Sequence, residues 1–317
     1  MPVPEPVHET LLPRDVVLGR TTHVRRLLPH KTRRMVGAWC FLDHFGPDDI
    51  KETGGMWVPP HPHTGLQTVT WLFEGLGRHT DSLGSDQLIR PGQLNVMTAG
   101  HGICHAEVSP DDAPTVLHGV QLWVCLPDDV RDTTPPDFTH LAELPTYSED
   151  GVTITVLVGE LAGEVSPAPA FSEMVGAEVR LRPGASATLP LRPDFEHAVL
   201  TVSGDLLVGT AVEQVVPVRQ MAYLGSGRDH LDVTAPEDGD EVVLMLLGGE
   251  PFEEEIVMWW NFIGRSHDEV VAQREEWNGA GVSWAPARYG EVRGFAGDRL
   301  LAPPLPNVRL RARARSV

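Results

Sequence analysis

The 317-residue chain carries 44 acidic against 25 basic side chains, a formal net charge of -19. That excess repels nucleic-acid phosphates and disfavours DNA or RNA binding over a broad surface. Hydrophobic residues are 41% of the chain, enough for a sizeable core, and no apolar run approaches the ~20 residues of a membrane helix.

The length suits two domains, and 31 glycines with 28 prolines suit many short strands and turns. Cys40, Cys104 and Cys125 are odd in number and lack a Cys-x-x-Cys spacing, so a reducing cytoplasm is expected. The opening Met1-Pro2-Val3-Pro4-Glu5-Pro6 has neither the basic nor the apolar part of a signal peptide.

In chain order, Val16-Val17-Leu18 predicts a first strand. Gly37 to Pro47 reads as an apolar strand ending in a Gly-Pro turn. Within it, His44 reads as a core histidine whose ring proton a carboxylate accepts; the alternative is a catalytic Asp43-His44 pair. After Pro59-Pro60 comes His61-Pro62-His63, and further on His105-Ala106-Glu107. In a strand, residues two apart share a face, so each stretch aims two ligand-type side chains the same way. Two such strands facing across a small barrel would bring three imidazoles and a carboxylate to one point. That donor set suits a first-row divalent ion, and four protein ligands on an octahedral metal leave two positions open. One His-x-His alone is commonly a surface pair.

Between the two stretches, Val69–Phe73 reads as a strand broken by Gly75 and Gly77. Pro91-Gly92 is a turn, Leu94, Val96 and Met97 resume a strand, and Gly100 and Gly102 bend the chain before His105. Gln67 shares the parity of His61 and His63 if the strand is unbroken, and reads as a polar pocket liner. His79-x-Asp81 reads as a hydrogen-bonded loop rather than a second metal site, and His101 as a rim residue. Cys104 turns away from the ligands and reads as a buried, inert thiol. His118 to Pro127 is an apolar strand with His118, Val120, Leu122 and Val124 on one face.

Residues 128–146 look like a linker. Strand-like runs then restart at Val152–Gly159 and recur at Ala177–Leu181, His197–Val202, Asp205–Val208, Gln220–Leu224 and Glu241–Leu247, separated by glycine turns. This echo of the first half predicts a duplicated barrel. His197 stands alone and His230 sits in a polar loop, so the second half lacks a metal site. Ser266 with Glu269 three residues on is a capping box, predicting a helix from about His267 to Trp277. Trp259 and Trp260 read as packing for a segment crossing to the first barrel. The Arg309–Arg315 run reads as a frayed, solvated basic tail, the alternative being a site for an acidic partner or nucleic acid.

The stretch HPHTGLQTVTWLFEG, followed by HTDSLG and IRPGQLNVMTAGHGICHAE, resembles the signature of the pirin family within the bicupins. FLDHFGP at 41–47, LHGVQLWVCLP at 117–127 and GGEPFEEEIVMWWNF at 248–262 extend the likeness from about residue 37 to about 275. The resemblance implies an all-β fold: two tandem cupin (double-stranded β-helix, jelly-roll) barrels packed face to face, with a short C-terminal helix. It places a metal-bearing N-terminal cupin domain at 1–134, a linker at 135–146 and a metal-free C-terminal cupin domain at 147–290. The latter includes a crossing segment at 251–278, and an extended basic tail follows at 291–317. It implies that His61, His63, His105 and Glu107 hold one divalent metal ion, Fe2+ first, with Mn, Ni, Co, Cu or Zn as alternatives. The chain departs from the family pattern at Gln67, Trp71, Asn95-Val96 and Cys125, positions that flank the pocket and bear on substrate rather than metal.

Two functions follow from the resemblance. One is a metal-dependent dioxygenase that opens the central ring of a quercetin-type flavonol with O2 and releases carbon monoxide, with Glu107 as general base toward the 3-hydroxyl. The other is an iron-dependent redox-sensing regulator that binds transcription factors or metabolic enzymes without catalysis. A cupin acting on another hydroxy-ketone is a third, since the fold hosts many chemistries.

Overall fold

The computed structural model describes residues 8–18, 22–209, 214–279 and 287–316; the leader reading at residues 1–6 lies outside the described residues. The chain divides into two units. One contains 42–142 with 15–24 and 253–317; the other contains 143–252 with 1–14 and 25–41. The two interleave along the sequence. The strand Glu9–Leu11 explains part of this: it pairs with Met221–Gly225 at the edge of a sheet formed by the second half.

Both units have the same plan, as the echo in the sequence requires. In the first, a seven-stranded sheet runs in the order Asp137–Leu141, Leu94–Thr98, Leu66–Glu74, Val116–Cys125, Trp39–Asp49, Thr22–Leu28 and Arg14–Leu18. It is accompanied by a four-stranded sheet in the order Trp57–His63, Ile103–Val108, Gly77–Asp81 and Asp86–Ile89. The second unit repeats seven and four. Its large sheet contains Glu196–Ser203, Val242–Gly249 and Met174–Leu181; its small sheet contains Ser186–Pro190, His230–Thr234, Leu206–Val208 and Gln214–Val216. These are two cupin barrels.

The interior of the second unit is aliphatic: Val156, Val179, Val199, Leu206, Leu244 and Leu246 belong to one buried cluster. Trp39 lies outside that cluster, against Gly176 on the other face of the strand, its Nε1–H shared between the carbonyls of Val175 at 3.1 Å and Gly248 at 3.2 Å. The first unit has instead a polar interior on its small sheet, where the candidate site lies.

Several local expectations change. The strand from Trp39 does not end at Gly46-Pro47 but continues to Asp49. Residues 135–146 are not a featureless linker: Asp137–Leu141 pairs with Leu94–Thr98, a register that the surrounding prolines conceal. His230 lies in a strand, His230–Thr234, rather than a loop.

The helix His267–Gly279 begins as expected. Glu269 N–H donates to Ser266 Oγ at 3.2 Å, while the Glu269 carboxylate reaches back to the Arg265 N–H at 2.8 Å, one residue beyond the usual box. Trp277, on its last turns, joins Phe262, Tyr289, Val292 and Ala302 in a cluster that also holds Cys104 and Ala106. Trp259 and Trp260 pack against it. The C-terminal stretch is irregular but not frayed: Arg313 and Ile256 exchange backbone hydrogen bonds at 3.0 Å, and Arg309 and Arg315 pair with Asp268 and Glu253. Among the described residues no helix is long and apolar enough to cross a membrane.

Candidate metal centre

The two ligand stretches are hydrogen-bonded neighbours, not strands facing across a barrel. Ile103–Val108 pairs antiparallel with Trp57–His63, setting His105 directly opposite His61. On its other side it pairs with Gly77–Asp81, setting Glu107 opposite His79 and His105 opposite Asp81. Directly opposed residues of adjacent strands share a face with their Cβ atoms about 5 Å apart, so pairing alone gathers these side chains. Alternation sends Cys104 and Ala106 to the opposite face, into the aromatic cluster of the C-terminal segment.

Ligand atoms of His61, His63 and His105 all lie within 4.8 Å of one another, and so do those of His79, His105 and Glu107. His105 belongs to both groups, and all five residues are buried. The ring centroids of His61 and His105 are 4.4 Å apart, and those of His63 and His105 are 5.0 Å apart.

The hydrogen bonds leave lone pairs at the centre. His61 Nδ1 lies 2.9 Å from the Pro59 carbonyl, so Nδ1 carries the hydrogen and Nε2 keeps its lone pair. His105 Nε2 and His63 Nδ1 are buried without any partner. Buried polar atoms are ordinarily paired, so orphaned imidazole nitrogens beside one another fit a divalent cation, which would supply the missing partner.

The electrostatics point the same way. Burial lowers His61 from 6.5 to about 4, the Pro59 carbonyl opposing it. Burial, with the neighbouring rings, holds His63 and His105 well below the ordinary value. The rings are therefore neutral, the form that binds metal. Burial raises the Glu107 carboxyl, against smaller opposing effects of His79 and of Thr70, whose hydroxyl lies 3.5 Å from Glu107 Oε1. A buried carboxylate of this kind is stabilised by a nearby cation.

Of three further side chains at the centre, His79 was read as part of a hydrogen-bonded loop, and Gln121 and Trp123 went unread. His79 is in a strand, not a loop, and touches His105 and Asp81. The only signal was its i, i+2 spacing from Asp81. Trp123 sets its ring edge against His63, centroids 5.1 Å apart at 78°. Gln121 accepts from the Thr70 hydroxyl at 2.9 Å. Gln121 and Trp123 lie on the parity opposite to His118, Val120, Leu122 and Val124.

Other candidates fall away from the centre. Thr64-Gly65 separates Gln67 from the His61 strand, so parity does not carry across; its amide donates to Thr98 Oγ1 at 3.0 Å. His44 Nε2 meets an imidazole, His118 Nε2, at 2.8 Å. Cys104 and Cys125 are free and fully buried, and burial pushes both thiols up to about 12.

Two barrels of one topology, one lined with buried histidines and the other filled with aliphatic side chains, define a bicupin whose first barrel can hold a metal ion. The chain matches the Pirin family over residues 21–124 and the Pirin C-terminal cupin domain over residues 176–282. It belongs to the pirin family. It is 45% identical over 304 residues to a Pseudomonas aeruginosa protein named as a candidate quercetin 2,3-dioxygenase, covering 94% of this chain and 92% of that one. It is 31% identical over 265 residues to pirin of Homo sapiens, covering 82% and 88%. A crystal structure of an Acinetobacter baumannii quercetin 2,3-dioxygenase superposes with a TM-score of 0.87 at 41% identity, covering 96% of this chain and 97% of that one.

Proposed function

We propose that the protein is a metal-dependent dioxygenase of quercetin-type flavonols, its metal held by His61, His63, His105 and Glu107. The observation that carries this is the buried donor set: orphaned nitrogens on His63 and His105 grouped with His61, and Glu107 grouped with the same His105. The similarity to proteins named for this activity, at 45% and 41% identity over nearly the whole chain, supplies the substrate class. Fe2+ is the first choice of ion, with Mn, Ni, Co, Cu or Zn as alternatives.

When bound, such an ion supplies Lewis acidity toward the oxygens of a hydroxy-ketone. The chain's own groups do the rest. His61, His63 and His105 stay neutral and fixed. Glu107 takes the proton of the flavonol 3-hydroxyl, a role for which its carboxylate must lie within hydrogen-bond reach of that proton. Trp123, packed on His63, keeps water from that ring.

Iron-loaded protein incubated with quercetin in air tests this through loss of flavonol absorbance and release of carbon monoxide. Turnover with any of the candidate metals supports the reading. No turnover with any of them, together with one stoichiometric protein captured from cell extract, supports the regulatory reading that the likeness to human pirin keeps in view.

A further inference from the structure

His79 and Asp81 lie beside the proposed ligands without belonging to them. Both are buried, at 3% and 2% exposure. His79 is fixed on three sides: its Nε2 is 3.1 Å from Asp81 Oδ2, its Nδ1 is 3.3 Å from His105 Nδ1, and its ring stacks on Phe138 with centroids 4.2 Å apart at 13°. Asp81 is fixed in turn. The backbone N–H groups of Leu83 and Ser85 donate to its Oδ1 at 2.9 and 3.0 Å, leaving Oδ2 for His79.

These contacts dictate where the hydrogens sit. A carboxylate only accepts, so His79 Nε2 carries a hydrogen. In the neutral ring the other nitrogen, Nδ1, is then an acceptor. His105 Nδ1 must therefore donate, which leaves the lone pair of His105 on Nε2. That is the His105 atom the fold leaves without a partner.

We propose that His79 and Asp81 are positioning residues that set the tautomer of His105, holding its Nε2 as the lone-pair atom offered to a divalent cation. The inference rests on the metal-binding reading of the site. The chain Asp81–His79–His105 extends the usual carboxylate–histidine support of a metal ligand by one imidazole.

The substitution Asp81→Asn tests it because it inverts the order of donors. The asparagine oxygen takes the two backbone N–H groups, and its amide donates to His79 Nε2. His79 then presents Nδ1–H to His105, which must move its own hydrogen to Nε2. His79→Gln removes the ring and its stacking, but offers an amide oxygen to His105 Nδ1–H.

In metal-free protein labelled with 15N-histidine, NMR should show His105 as the Nδ1–H tautomer in the native chain and as Nε2–H in Asp81→Asn. In cobalt(II) titrations followed by the visible spectrum, Asp81→Asn should weaken binding about 10- to 100-fold. His79→Gln should weaken it less, an order that loss of packing alone would reverse. An Nε2–H tautomer in the native chain overturns the proposal even if Asp81→Asn does not fold. So does an Asp81→Asn protein with native tautomer and native cobalt affinity while His105→Ala has lost cobalt. Failure of the native chain to bind cobalt, or unchanged binding in His105→Ala, instead removes the metal reading itself and this inference with it.

Discussion

His61 and His105 stand directly opposite each other on adjacent antiparallel strands, their ring centroids 4.4 Å apart. Neither ring is exposed, and burial keeps both neutral. Bringing polar rings so close without hydrogen-bonding one pair of nitrogens is costly unless the lone pairs have a use. The strand register makes the arrangement unavoidable, because the same pairing that builds the small sheet also opposes the two residues.

The turn after His63 depends on Gly65. Its φ is +71°, and a Cβ there would sit 2.5 Å from the Ile263 carbonyl oxygen. The neighbouring Thr64 carbonyl accepts from Ile263 N–H at 3.1 Å, so the crossing segment is docked at this point. Gly65→Ala should destabilise the protein by about 2–4 kcal/mol, from backbone strain and overpacking together. Urea unfolding of the purified variant measures it; native stability would contradict the close approach.

The back of the strand Ile103–Val108 rests on the cluster that holds Trp277. The Trp277 ring is fully buried, meets Tyr289 edge-on at 5.5 Å, and donates from Nε1 to the Leu300 carbonyl at 2.7 Å. Trp277→Ala should cost about 3–5 kcal/mol through the cavity it leaves. Trp277→Phe should cost less, chiefly the lost hydrogen bond and the unpaired carbonyl, about 1–3 kcal/mol. Because Cys104 and Ala106 touch this cluster while His105 and Glu107 face the other way, the alanine variant should also release metal faster. Denaturant unfolding and metal-release rates check both.

His197 gives a pH dependence in the second barrel. Burial lowers its pKa from 6.5 to about 4, with Asp194 opposing and Arg228 assisting. Below pH 6.5 the unfolded chain binds a proton that the folded chain refuses until about pH 4. Stability therefore falls as pH drops through that window, by on the order of 2–3 kcal/mol from this residue. His197→Gln should show a shallower loss than the native chain between pH 7 and pH 4. Identical slopes would contradict the buried, neutral ring.

The duplicated all-β plan was legible because the apolar strands are long and glycine-bounded: Val152–Val158 and Val242–Gly249 are strands almost as read. The helix was legible from Ser266 and Glu269. Ser186–Pro190 and Gln214–Val216 were not, since strands of five and three residues carry little alternation. The four candidate ligands were legible from spacing and family likeness, but their sheet neighbourhood was not. Local parity says which residues share a face, not which strands are adjacent. That is why His79 read as a loop residue, although its strand is bonded to the one carrying His105 and Glu107. Gln67 misled for a related reason, since a glycine turn resets parity.

Metal content tests the histidine centre most directly. Protein reconstituted anaerobically with Fe2+, freed of excess ion and assayed by elemental analysis should retain stoichiometric metal in the native chain. It should lose it in His61→Ala, His63→Ala and His105→Ala, and hold it more weakly in Glu107→Gln, with all four variants folded by circular dichroism. Native protein that retains no divalent ion, or histidine variants that retain as much as the native chain, would contradict it.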